Sequence, residues 1–171
     1  MRENQALHLE DVAATDASSG HRLIFPGLQA FYSWAQPVSY ALLRCAFGLI
    51  LLTHGIPKAS GAGHGGATNA FMHNVDRLQN QLHLPVPLMF GYLVMFIETA
   101  GAVMMALGLF TRIVAPMIAI EMAVICYVLS PAWVWNTGGM EYALLMGLLA
   151  LFVSIRGGGR YSIDRLIGRE L

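Results

Sequence analysis

The chain has 171 residues, of which 56% are hydrophobic and only 12% charged, against about 25% charged in an average soluble domain. Ten acidic and ten basic residues cancel, which leaves no net charge to draw nucleic acid. Six charges lie in residues 1–37, six in 156–171, and eight serve the 118 residues between; that middle is too apolar for a soluble core and too long for one membrane anchor.

Taken in chain order, residues 1–37 read as a polar tail without apolar periodicity, the composition of a disordered segment. It lacks the apolar core of a signal peptide, so the first span is expected to act as an uncleaved signal. Residues 28–36 are aromatic-rich and suit the membrane interface. Four spans are expected: about 38–56, 88–109, 113–130 and 139–155. Pro57 should end the first, because proline breaks the hydrogen-bond ladder, and Pro131 the third. Between the first two spans lies a glycine-rich stretch and then a short amphipathic helix, with Phe71, Val75, Leu78 and Leu82 at helical spacing. Trp133 and Trp135 precede the fourth span at interfacial depth. Residues 156–171 form a basic tail with Arg156, Arg160, Arg165 and Arg169, which the positive-inside rule places in the cytoplasm. The expected fold is therefore an all-α, integral membrane four-helix bundle with cytoplasmic N- and C-termini.

Ionisable groups inside a membrane cost roughly 3 kcal/mol each on insertion scales and normally face the bundle interior. Arg44, Glu98 and Glu121 fall near the middle of their spans. One arginine and two glutamates leave an excess carboxylate. Glu98 is the expected partner of Arg44, because Gly48, Gly101 and Ala102 let the two helices approach. Glu121, without a cation, is expected to stay protonated. A second polar group gathers near the outer surface: His54 and Lys58 at i and i+4, Glu141 opening the fourth span, then Tyr142, Asn136 and Trp135. Such a set has the donors and proton acceptors that a quinone head group needs. His54, Glu98 and Glu141 are the candidate catalytic residues, and Arg44, Lys58, Trp135, Asn136 and Tyr142 the candidate ligand-binding ones. The structural reading of the same residues is helix locking by the buried charges and an interfacial lysine reaching outward.

No metal site is expected, since His54, His64, His73 and His83 are spaced 9 to 10 residues apart with no completing ligands. Cys45 and Cys126 are too few for a cluster or an all-Cys zinc site. The glycine stretch at 61–66 follows no strand and is not a phosphate loop. No intrinsic redox cofactor is evident.

Four motifs in order resemble the DoxX family of small four-helix membrane proteins. They are Leu42-Leu43-Arg44 with Gly48 and His54-Gly55-x-x-Lys58; Glu98-x-x-Gly101 with Leu107-Gly108-Leu109-Phe110-Thr111-Arg112; Asn136-x-Gly138-Gly139-x-Glu141-Tyr142-Ala143-Leu144-Leu145; and Gly159-Arg160-Tyr161-Ser162-Ile163-Asp164. The resemblance covers about residues 40–165 and leaves Glu121 outside the family pattern. It implies the fold, and a bacterial-type inner-membrane protein that anchors an oxidoreductase and interacts with quinone. Such a protein would be a quinone-linked oxidoreductase subunit acting with a soluble or membrane partner. A small-solute transporter or permease, a homo-oligomer among its forms, and a non-enzymatic assembly factor are the alternatives.

Overall fold

The computed structural model describes residues 25–168. The polar tail expected to be disordered lies, up to residue 24, outside the described residues. By internal contacts the chain falls into two units, 1–36 and 37–171. In the first unit a 3-10 turn, Pro26–Leu28, leads into helix. Phe31 stacks edge-on to Tyr32 and tilted to Trp34, and all three rings are exposed, as interfacial aromatics would be.

The described residues are all-helical, with one isolated bridge between His64 and Ala67 as the sole β pairing. The elements are α1 (Gln29–Ser60), α2 (Ala70–Asn80), α3 (Pro87–Leu107), α4 (Thr111–Leu129), α5 (Glu141–Arg156) and the single turn α6 (Ile163–Ile167). Three of them, α1, α3 and α4, are long and apolar enough to cross a membrane. The 16 residues of α5 would reach about 24 Å at 1.5 Å per residue.

Pro57 does not end α1. The helix carries Pro37 and Pro57 inside it and runs on to Ser60. A single proline removes one ladder bond, and this last turn is held from outside by packing on α3. A Cβ on Gly55 would collide with the Glu98 carbonyl, and one on Gly48 with the backbone at Ala102 and Ala106. The two helices are therefore antiparallel and nearly touching, as small residues permit in membrane bundles. Opposite Gly55, α3 widens into a π turn over Ile97–Gly101. Pro87 starts α3, where a missing N–H is harmless.

The core of the second unit draws on four helices: Phe47 and Leu51 of α1, Ile97, Ala102 and Met105 of α3, Ala115, Ile118 and Met122 of α4, and Ala143, Met146, Ala150 and Val153 of α5. Large apolar side chains such as Leu49, Leu145, Leu148 and Phe152 point outward. Lipid is as apolar as leucine, so outward leucines cost nothing there and close packing of small residues holds the helices together. The short helix α2 forms where the apolar spacing predicts one. Asn69 caps it by accepting from the Met72 N–H at 2.9 Å, and Val75 and Leu78 are buried. Its apolar face rests on α3, with Val75 and Phe71 against Gly91.

Candidate functional site

Arg44 and Glu98 do not meet. Because α1 and α3 are antiparallel, Glu98 lies level with Gly55 and Arg44 level with Gly108. Eleven residues of helix, about 16 Å, separate the two levels. The expectation of a shared depth compared the middles of two spans, whereas the register of α1 against α3, set by the close approaches at Gly48 and Gly55, decides which residues are level.

Lys58 is the cation that Glu98 takes. Its ammonium donates to the Glu98 carboxylate, and the lysine side chain is 15% and the glutamate side chain 4% exposed. The extra turn of α1 beyond Pro57 delivers Lys58, and the π turn of α3 presents Glu98. One carboxylate does remain over, and it is Glu121. This α4 residue is 7% exposed, and neither of its carboxyl oxygens has a hydrogen-bond partner.

Arg44, 2% exposed, has a different task. Its guanidinium donates to the Met105 carbonyl at 3.0 Å and to the Tyr161 carbonyl at 2.6 Å. Asp164 works beside it: its carboxylate accepts from the Phe110 and Thr111 N–H groups at 2.7 and 2.9 Å, and its own N–H donates to the Gly108 carbonyl at 2.9 Å. An aspartate there answers the open N–H groups at the start of α4. Tyr40 donates to the Gly157 carbonyl at 2.6 Å and receives the Arg156 guanidinium over its ring at 4.5 Å. These bonds tie the α3–α4 turn and the chain after α5 to α1. Parts of the second and fourth sequence motifs, Gly108 to Arg112 and Gly159 to Asp164, are thus two halves of one clamp.

At the other end, residues of all five longer helices and of two loops line a cavity of about 430 Å³. Leu51, His54 and Lys58 project from α1 at i, i+3 and i+7, one helical face. Glu98 comes from α3, and Tyr142, Ala143 and Met146 from α5. The His54 and Tyr142 rings lie 6.4 Å apart. His54 Nδ1 lies 3.1 Å from His64 Nε2, so one ring donates to the other. His73, Asn74 and Arg77 of α2 also line the space.

Four of the eight candidate residues, His54, Lys58, Glu98 and Tyr142, therefore share one cavity. Arg44 belongs to the clamp. Asn136 is exposed and Glu141 half-buried, and neither is among the lining residues. One residue along a helix is a turn of about 100°, which is why Tyr142 faces the cavity while its neighbour Glu141 does not. Trp135 sits in a 3-10 turn, Trp135–Thr137; its side chain lies outside what the structure describes. Residues 131–140 fold back tightly, with the Glu141 N–H donating to the Trp133 carbonyl at 3.1 Å. Sequence reasoning missed His64, Asn74 and Arg77 as lining residues. Asn74 and Arg77 stand at i and i+3 beside the apolar stripe of α2, a readable signal once that helix is laid over the bundle. His64 is brought in by the loop alone.

A second cavity, of about 700 Å³, lies on the other side of the Lys58–Glu98 pair, among α2, α3 and α4. Its walls are apolar except for Lys58, Glu98, Glu121, Asn74, Arg77 and Tyr127. Among the described residues no three His, Cys, Asp or Glu side chains converge as a metal site.

Comparison with protein families matches residues 39–131, just over half of the chain, to the family described as DoxX. That match spans α1 to α4. No curated protein and no solved structure matches the chain.

Proposed function

The chain belongs to the DoxX family of membrane proteins, and from this we propose that it is a membrane subunit of an oxidoreductase system whose smaller cavity receives the head group of a quinone. The observation that carries the reading is the convergence of His54, Lys58, Glu98 and Tyr142 from three helices onto one space of about 430 Å³, within the usual range for small-molecule sites. The residues fit such a group. A quinone carbonyl asks for donors, and Lys58, His54 and the Tyr142 hydroxyl are donors. The Asn74 side-chain N–H₂ lines the same space and has no acceptor of its own. Bound there, the quinone supplies two-electron, two-proton chemistry. The chain's own part is to hold the head group, keep bulk water out with α2, and exchange protons through His54 and His64 toward the open side.

A partner protein would anchor on the membrane face that carries Arg156, Arg160 and Arg165, while electrons for the quinone would have to enter at the other end of the bundle, where the smaller cavity lies. We place that face in the cytoplasm of a bacterial-type inner membrane, with four spans and both termini inside. The basic residues after α5 support this orientation.

The test is mass spectrometry of quinones and proteins that co-purify with the gently solubilised protein. A stoichiometric quinone that is lost in His54→Ala, with the fold retained, is the expected result. Absence of quinone, together with solute flux in liposomes carrying the protein alone, would turn the assignment to transport.

A further inference from the structure

We infer that the larger cavity is a binding site for a bilayer-soluble molecule whose head carries a hydroxyl group, and that Glu121 is the residue that receives this hydroxyl. The inference rests on a different cavity and on Glu121, which the quinone reading does not use; Asn74 lines both cavities, and each reading can fail without the other because neither depends on Asn74 alone.

Glu121 is 93% buried by its 7% exposure, and both its oxygens are unpartnered. Its charged neighbours are Glu98, whose carboxylate is near enough to interact with it directly, and Lys58; those two already bond each other, and neither is a hydrogen-bond partner of a Glu121 oxygen. Arg77 and Asn74 of α2 line the same cavity. A buried carboxyl with no partner is a costly arrangement that asks for an explanation, and here the cavity it lines offers one in a bound molecule. The Asn74 side-chain nitrogen is likewise buried without an acceptor. The cavity thus offers acceptors on Glu121 and a donor on Asn74.

A hydroxyl answers both, since it donates one hydrogen bond and accepts others. A lipophilic cation is a poor match, because Lys58 and Arg77 face the same space. A plain hydrocarbon tail would fill the walls formed by Leu93, Val94, Met117, Ile120 and Val124 and leave Glu121 as it was. The volume, about 700 Å³, suits a drug-sized or shortened lipid molecule. The shared chemistry is a hydroxyl on an apolar tail, found both in reduced quinones and in hydroxyl-headed lipids.

The experiment is equilibrium binding to the full-length protein in detergent, with 4-octylphenol and octylbenzene as matched probes. Wild-type protein is expected to bind the phenol about tenfold more tightly, the worth of one hydrogen bond to a carboxyl group. That preference should vanish in Glu121→Leu and persist in His54→Ala. Val124→Trp, which fills the cavity and keeps Glu121, should abolish binding of both probes, so the result does not depend on one variant folding. Displacement of the phenol by decyl-ubiquinol would assign a quinol, and displacement by dioctanoylglycerol a lipid. Equal affinity for the two probes in wild type, a preference that survives Glu121→Leu, or displacement by neither decyl-ubiquinol nor dioctanoylglycerol would overturn the inference.

Discussion

Lys58 and Glu98 are the charges on which the interior of the bundle depends. Glu98 is almost wholly buried and Lys58 nearly so, and the smaller cavity and the larger one share them as a wall. Removing one member of a buried ion pair strands the other, at a cost of about 3–5 kcal/mol, whereas replacing both with apolar residues is often neutral. Lys58→Met is therefore expected to lower the melting temperature of the detergent-solubilised protein markedly, and Lys58→Met with Glu98→Met to recover most of the loss. Fluorescence-detected thermal melts of the single and double variants measure this; a double variant as unstable as Lys58→Met would show that Glu98 has another essential partner. The pairing was half legible in the sequence. Two intramembrane glutamates and a shortage of cations pointed correctly to one carboxyl left over. Which cation was taken depended on the register of α1 against α3, and charge arithmetic does not set a register. Arg44 shows the same limit from the other side. Its partners are the carbonyls of Met105 and Tyr161, backbone groups that no side-chain pattern advertises.

The helices themselves were easier to foresee than their ends. Runs of about 20 apolar residues announce α1, α3 and α4, and the stripe of Phe71, Val75 and Leu78 announces α2. Pro57 misled because its local rule was outweighed by packing between α1 and α3. That packing is tightest at Gly55, with Gly48 a second close approach two turns away. At Gly55 the two backbones are so near that a Cβ has no room against the Glu98 carbonyl, and a carbonyl in a helix cannot step aside as a flexible side chain can. Gly55→Ala should cost about 1–3 kcal/mol by overpacking, and it should also push Lys58 off Glu98. The control is Gly65→Ala, in the loop, where a Cβ would meet nothing within 4 Å. Gly65 carries φ +59°, so the control bears backbone strain without steric overlap. Gel-filtration profiles and melting temperatures of the two variants separate the effects: Gly55→Ala is expected to be clearly the less stable. Equal stability would mean that α1 and α3 can slide apart freely, and the site could not then hold a fixed geometry. The π turn over Ile97–Gly101 belongs to this argument as well. Such turns add a residue to a helix and re-aim its side chains, and Glu98 sits on it.

At the scale of the whole molecule the open quantity is how many times the chain crosses the bilayer. Three helices meet the length of a span, and α5 at about 24 Å falls short of a hydrocarbon core near 30 Å. Yet α5 packs along α4, with Gly147 close against Met122, and supplies Ala143, Met146, Ala150 and Val153 to the shared core. It also ends in Arg156, beside the clamp that Arg44 builds at the far end from Lys58. We propose that a helix so engaged with α4 runs the same depth, since a short span is accommodated by local thinning of the bilayer at a modest cost per ångström. Four crossings put the loop that holds Gly65 and the chain after α5 on opposite faces; three would put them on the same face. Single cysteines at Gly65 and Gly168, in a background with Cys45 and Cys126 replaced by serine or alanine, separate the two cases. A maleimide reagent that does not cross membranes is expected to label Gly65→Cys from outside intact cells, and Gly168→Cys only after the membrane is opened. Labelling of both from outside would leave α5 folded against the bundle without crossing, and would move the basic segment after it to the outer face. The partner docking proposed for that segment would then have to be sought on the opposite side of the membrane.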